Sequence, residues 1–194
     1  MQAAFRPHRR RTRGATMIEF AFTLPLFLLF MLGLLEVARA LYLWNVLANA
    51  TAAAARSAAM VDATDQGALD ALAQAAGLAA RAGGMALGTA QQPDARIVIT
   101  HLDATFKQVV ALPACPSQNI VKCNANPNGS NCVRFVRAQL CAPGSGTECA
   151  PATYKPLFTG TALGLEMTYP TFATITPAAS LGHQAGSTEV CPGP

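Results

Sequence analysis

Sixteen consecutive uncharged residues, FAFTLPLFLLFMLGLL from Phe20 to Leu35, constrain this chain more than any other feature. As a helix they extend about 24 Å, short of the roughly 30 Å hydrocarbon core of a bilayer. Continuing through Glu36 and Arg39 to Leu41 lengthens the segment to about 33 Å. Tyr42 and Trp44 then fall where an interfacial aromatic belt is expected. Glu36 and Arg39, three residues apart, share a helix face and can pair at the outer boundary. The segment reads as a membrane span over about residues 20–41.

Charge sets its direction. The formal net charge is +4, but Arg6, Arg9, Arg10, Arg11 and Arg13 all lie in the first 14 residues, which hold no acid. Without those five, nine basic residues face ten acidic ones. The basicity is a local tag of the kind that keeps an N-terminus cytoplasmic, with everything after Trp44 outside. A nucleic-acid partner is excluded on the same ground, since it calls for basic residues spread over a folded face with stacking aromatics among them. The composition, 52% hydrophobic and 12% charged, falls well below the roughly 25% charge of an ordinary soluble domain. It suits a small folded domain attached to a membrane element. All six cysteines, Cys115, Cys123, Cys132, Cys141, Cys149 and Cys191, lie beyond residue 110. An even set on one side of a span points to disulfides in an oxidising compartment. The first five are separated by seven, eight, eight and seven residues with no C-x-x-C, which argues against structural zinc. Fifteen full pairings remain open.

A cleaved secretory signal is the competing reading, and Ala38 and Ala40 supply a small-x-small site before Leu41. Against it, the helical pattern does not stop there. No Gly or Pro occurs from Leu34 to Val61, so a helix over 15–61, some 70 Å long, is expected. Pro25 removes one amide donor near its start and bends it. Ala50, Ala54 and Ala58 recur every four residues, a spacing that lets helices approach closely or simply reflects the helix propensity of Ala.

Residues 62–194 form the outer domain. Asp65 caps a second helix, QGALDALAQAAGLAARAG, closed by Gly83-Gly84. Three strands are expected: RIVITHL at 96–102, CVRFVRAQL at 132–140, and ALGLEMTY at 162–169, where Leu163, Leu165, Met167 and Tyr169 share a face. The stretches PACPSQNIVKCNANPNGSNC and CAPGSGTEC read as loops, with Asn128-Gly129 as a turn rather than a glycosylation site. The tail after Pro177 lacks periodicity, and Cys191 ties it back. The fold class is α+β: a long N-terminal transmembrane helix running into a small outer domain with a second helix and a short antiparallel sheet packed on the long helix.

No catalytic constellation accompanies this frame, and no enzyme activity, cofactor or metal site is expected. His8, His101 and His183 are scattered, with His101 read as a surface or half-buried strand residue. G-x-S-x-G, H-E-x-x-H and phosphate-cradling glycine patterns are missing from the sequence. Asp62, Asp65 and Asp70 read as helix-start and surface acids.

Gly14, four further residues, and then Glu19-Phe20 resemble the processing site of type IV prepilins and pseudopilins. The wider pattern RGATMIEFAFTLPLFLLFMLGLLEVARALY is similar to TadE-like proteins of the tight-adherence (Flp pilus) secretion system. It carries Arg13-Gly14, Glu19-Phe20-Ala21, Pro25 and Glu36, with a fainter echo in EMTYP at 166–170. The likeness covers about residues 13–60 and does not extend to the cysteine-bearing loops. It implies cleavage between Gly14 and Ala15 by a prepilin-type peptidase, leaving Glu19 to offset the new amino group of Ala15. An unprocessed helix gives Glu19 a plainer role, as an acid favoured by the helix dipole. The resemblance further implies a minor pseudopilin-like protein of the inner membrane with a periplasmic domain. Its partners would be other pilins or pseudopilins and pilus-assembly proteins, with Glu19, Pro25, Glu36 and Arg39 serving helix assembly. The competing role is a membrane-anchored envelope binding module unrelated to pili.

Overall fold

A computed structural model describes residues 15–82, 96–142, 149–154, 167–168, 171–183, 186 and 191. In chain order these form α1 (Ala15–Ala58), α2 (Gln66–Ala82), β1 (Arg96–Leu102), α3 (Pro116–Ala125), β2 (Phe135–Cys141), β3 (Thr153–Tyr154), β4 (Met167–Thr168) and β5 (Ala173–Pro177). The α+β class expected from the residues is observed. The chain divides into two compact units, Met1–Ala40 and Leu41–Pro194, and the division falls inside α1.

In the first unit, no residue from 16 to 40 is buried. The second unit starts differently. Leu43 is buried, and Leu47, Ala50, Ala54 and Ala58 follow it at helical spacing with Thr51 and Ala55 beside them. The alanine repeat is therefore covered by the chain's own outer domain. Thr51, also buried, donates to or accepts from the Thr174 hydroxyl at 3.0 Å, and the edge of the Trp44 ring meets Phe172 with centroids 5.3 Å apart. The last turn of α1 tightens, with Met60 N–H on Ser57 O and Val61 N–H on Ala58 O. The Asp65 carboxylate accepts from Ala68 N–H at 3.0 Å and starts α2 as its sequence implies.

β1, β2 and β5 form an antiparallel sheet in that order, with Ile99 opposite Ala138 and Val136 opposite Thr176. Ala58, Ala59, Leu69, Val109, Val133, Val136 and Leu181 make a buried cluster under the sheet. Leu181 N–H reaches Ala59 O at 3.0 Å. Gly182 follows at φ +85, where an added Cβ would stand 3.0 Å from Asp62 N. Glycine alone suits that crossing.

Three expectations need correction. The third strand of the sheet is β5, not 162–169. Met167 and Thr168 instead pair with Thr153 and Tyr154 in a separate two-stranded sheet, and residues 162–166 and 169 lie outside the described set. β5 was invisible to apolar alternation because Thr174 and Thr176 occupy the face shared with Ala138 and Val136. Second, α3 occupies a stretch read as loop. Pro116 opens the helix, where its missing N–H costs nothing, and the Gln118 side chain accepts from Ala114 N–H at 2.7 Å. Third, His101 is not a surface or half-buried residue; it is buried, with 6% of its surface exposed. β2 also begins at Phe135, three residues later than expected, and Gly83-Gly84 lie outside the described residues.

The disulfides pair Cys115 with Cys191, Cys123 with Cys132, and Cys141 with Cys149. The second joins α3 to the segment entering β2. Buried Asn119 reinforces that join: its Oδ1 accepts from Val133 N–H at 2.9 Å and its Nδ2 donates to Val133 O at 3.2 Å. Asn119→Leu strands both backbone groups away from water, each worth about 1–3 kcal/mol, and is expected to cost on the order of 2–4 kcal/mol. A urea titration checks this through a lowered midpoint at unchanged slope.

Candidate functional site: a membrane-anchoring helix

α1 is the one helix among the described residues long and apolar enough to cross a membrane, and none of its most apolar window is buried by protein. Phe20, Phe22, Leu26, Phe27, Leu29, Phe30, Leu34 and Leu35 are each about half or more exposed. Such a surface is stable in hydrocarbon and costly in water, at about 25 cal/mol per Å² of apolar area. A single N-terminal apolar helix of this kind fits a membrane anchor. Burial by protein starts at Leu43, between the exposed Tyr42 and Trp44.

Two polar contacts are local to the helix. The Arg39 guanidinium donates to Glu36 Oε1 at 3.0 Å, each side chain less than one fifth exposed. Pairing lowers the cost of holding two partly buried charges. The Thr23 hydroxyl donates to Glu19 O at 2.8 Å, a backbone acceptor six residues before Pro25. Pro25 sits within the helix and offers no N–H to the carbonyl of Ala21. Ala15 is the first helical residue and Glu19 is exposed one turn later. Arg9, Arg10, Arg11, Arg13 and Gly14 lie outside the described residues.

The structure brings together only part of the sequence-derived set. Glu36 meets Arg39, and the six cysteines form three pairs. Glu19 and Pro25 share α1 with them without meeting. No group of three or more His, Cys, Asp or Glu side chains among the described residues could hold a metal ion, and nothing positive points to catalysis.

One feature was missed in the sequence. A cavity of about 340 Å³ lies between α2 and β1, lined by Gln66, Leu69 and Asp70 on the helix and by Arg96, Ile99 and His101 on the strand. Among the described residues, His101 Nε2 is buried without a hydrogen-bond partner. Burial holds the imidazole below its ordinary pKa, partly opposed by the carboxylate of Asp62. Strand alternation could have placed His101 with Ile97 and Ile99 on one face. Only the position of α2 made that face the inner one.

Residues 14–56 match the family model described as TadE-like protein. This is the family that the ordered set from Gly14 to Glu36 resembles, and the match ends two residues before α1 does. It supports an association with the tight-adherence pilus system. No curated protein and no solved structure matches the chain.

Proposed function

We propose that this chain is a minor pseudopilin-like protein, anchored once in the inner membrane, that assists biogenesis of a tight-adherence pilus or a related secretion system. The observation that carries the reading is the coincidence of two things on one helix. The TadE-like match over residues 14–56 overlies an apolar surface that the chain itself leaves uncovered. In this reading residues 1–14 are a cytoplasmic leader held inside by Arg9, Arg10, Arg11 and Arg13. Residues 15–61 are the pilin-like helix, and 62–194 the periplasmic domain. Three disulfides in that domain agree with an oxidising compartment.

A prepilin-type peptidase cuts between Gly14 and Ala15, and the freed amino group of Ala15 is answered by Glu19, in its own chain or a neighbour's. Pairing between chains sets one axial register as apolar helices of pilins or pseudopilins associate, because either charge alone in hydrocarbon is expensive. Glu36 and Arg39 are already paired to each other and mark the outer end of the span.

Mass spectrometry of membrane-extracted protein should show an N-terminus at Ala15, and Gly14→Arg should retain the leader. An intact Met1 terminus in cells that hold the peptidase would overturn processing. A second reading, an anchored envelope binding module, is favoured by one observation: the family match stops at residue 56 and does not reach the cysteine-bearing domain. Loss of piliation on deletion supports the first reading; normal piliation supports the second.

A further inference from the structure

We infer that His101 is an acid-sensitive latch that holds α2 against β1, so that its protonation releases the helix while the rest of the outer domain stays folded. The inference is independent of any role in a pilus. Leu69 is buried in the core cluster and Leu72 packs on it, alongside Ile99 and Leu112. Among the described residues no hydrogen bond joins α2 to the sheet, and none of the three disulfides involves the helix. Those disulfides instead brace α3, the approach to β2, the segment after β2 and the tail. Among the described residues the packing between α2 and β1 comes from Leu69 and Leu72 beside a cavity, an attachment that can open by itself.

His101 stands in that cavity with Nε2 unpartnered. A neutral imidazole leaves one polar atom unsatisfied, whereas an imidazolium would add a buried charge and a second donor that must be hydrated. Lifting α2 supplies the water. The surrounding charges do not remove this cost. Asp62, in the α1–α2 connection, favours the charged form through its own charge, but burial is the larger effect. α2 brings Asp70 to the cavity and β1 brings Arg96, of opposite sign; the segment after β1 contributes neutral Gln108 and Val109. Across the sheet His101 faces Val136. Asp103, two residues further on, is engaged by the Thr105 hydroxyl and by the amides of Thr105 and Lys107.

The sign of the linkage follows. With α2 closed the pKa lies below the ordinary 6.5, and with α2 open it returns toward that value. The open form thus binds more protons as pH falls below 6.5, and closure weakens over that window but is unaffected above it.

The test is hydrogen exchange on the full chain in detergent micelles, read as protection factors to remove intrinsic pH effects. Protection of α2 amides around Leu69 and Leu72 should fall between about pH 7.5 and about pH 5, with a slope of up to about tenfold per pH unit. Amides of Val136 and Ala138 should keep theirs. His101→Gln should flatten the α2 profile. Asp62→Asn keeps an acceptor for Thr64 but removes the opposing charge, and should extend the loss to lower pH. Equal α2 protection at both pH values overturns the latch, and so does a parallel loss in β2, which would mean global unfolding.

Discussion

Leu47→Ala is expected to lower the stability of the outer domain by about 2–5 kcal/mol, the range for a fully buried leucine cut back to alanine. Leu35→Ala, twelve residues earlier on the same helix, should leave that stability unchanged. Leu47 is completely buried and Leu35 is 61% exposed. The division between the two compact units passes between them. Thermal or urea unfolding of the detergent-solubilised protein, followed by a tertiary-structure signal from the outer domain, separates the two outcomes. If both substitutions destabilise equally, the division of α1 at Leu41 fails. If neither does, the outer half of α1 is not part of the core.

Removing disulfides should rank by the length of chain they close. The Cys115–Cys191 bridge spans 76 residues, against 9 for Cys123–Cys132 and 8 for Cys141–Cys149. The loop-entropy relation assigns about 4.5 kcal/mol to the long loop and about 2.5 kcal/mol to either short one. The double substitution Cys115→Ser with Cys191→Ser is therefore expected to be the most damaging of the three paired replacements. It also frees the tail that carries Leu181, whose amide bonds Ala59 and whose side chain is buried in the core cluster. Denaturant midpoints of the three variants check the order. Should the two short bridges prove costlier, local geometry at α3 and β2, rather than chain entropy, governs the domain.

Parts of this molecule were legible from local rules because local physics alone decides them. Asp65 before an amphipathic run starts α2 whatever surrounds it, and RIVITHL forms β1 over the residues expected. Glu36 and Arg39 meet because three residues of helix always bring them to one face. Elsewhere the local signal was present but weak. Pro116 with Gln118 marks a helix start, yet the density of turn residues around the cysteines made the same stretch read as loop. β5 escaped because its inward residues are threonines, one of them satisfied by Thr51 from α1, 123 residues away in sequence. No window of sequence contains that partner.

Residues 20–44 were enough to specify a helix that fits a membrane anchor. An apolar run bounded by arginines and by Tyr42 and Trp44 needs no tertiary context, since the solvent it calls for is a bilayer. Tertiary packing decided that α1 beyond Tyr42 belongs to the core of the outer domain, because nothing local to that segment buries Leu47. It also chose one disulfide pairing among fifteen and turned the small-residue repeat of Ala50, Ala54 and Ala58 inward to the chain's own core. His101 was decided the same way. Alternation put it on a face, and the docking of α2 made that face an interior with no partner for its Nε2. Burial depends on residues distant in sequence, whereas helix propensity and transfer from water to hydrocarbon depend on the segment itself.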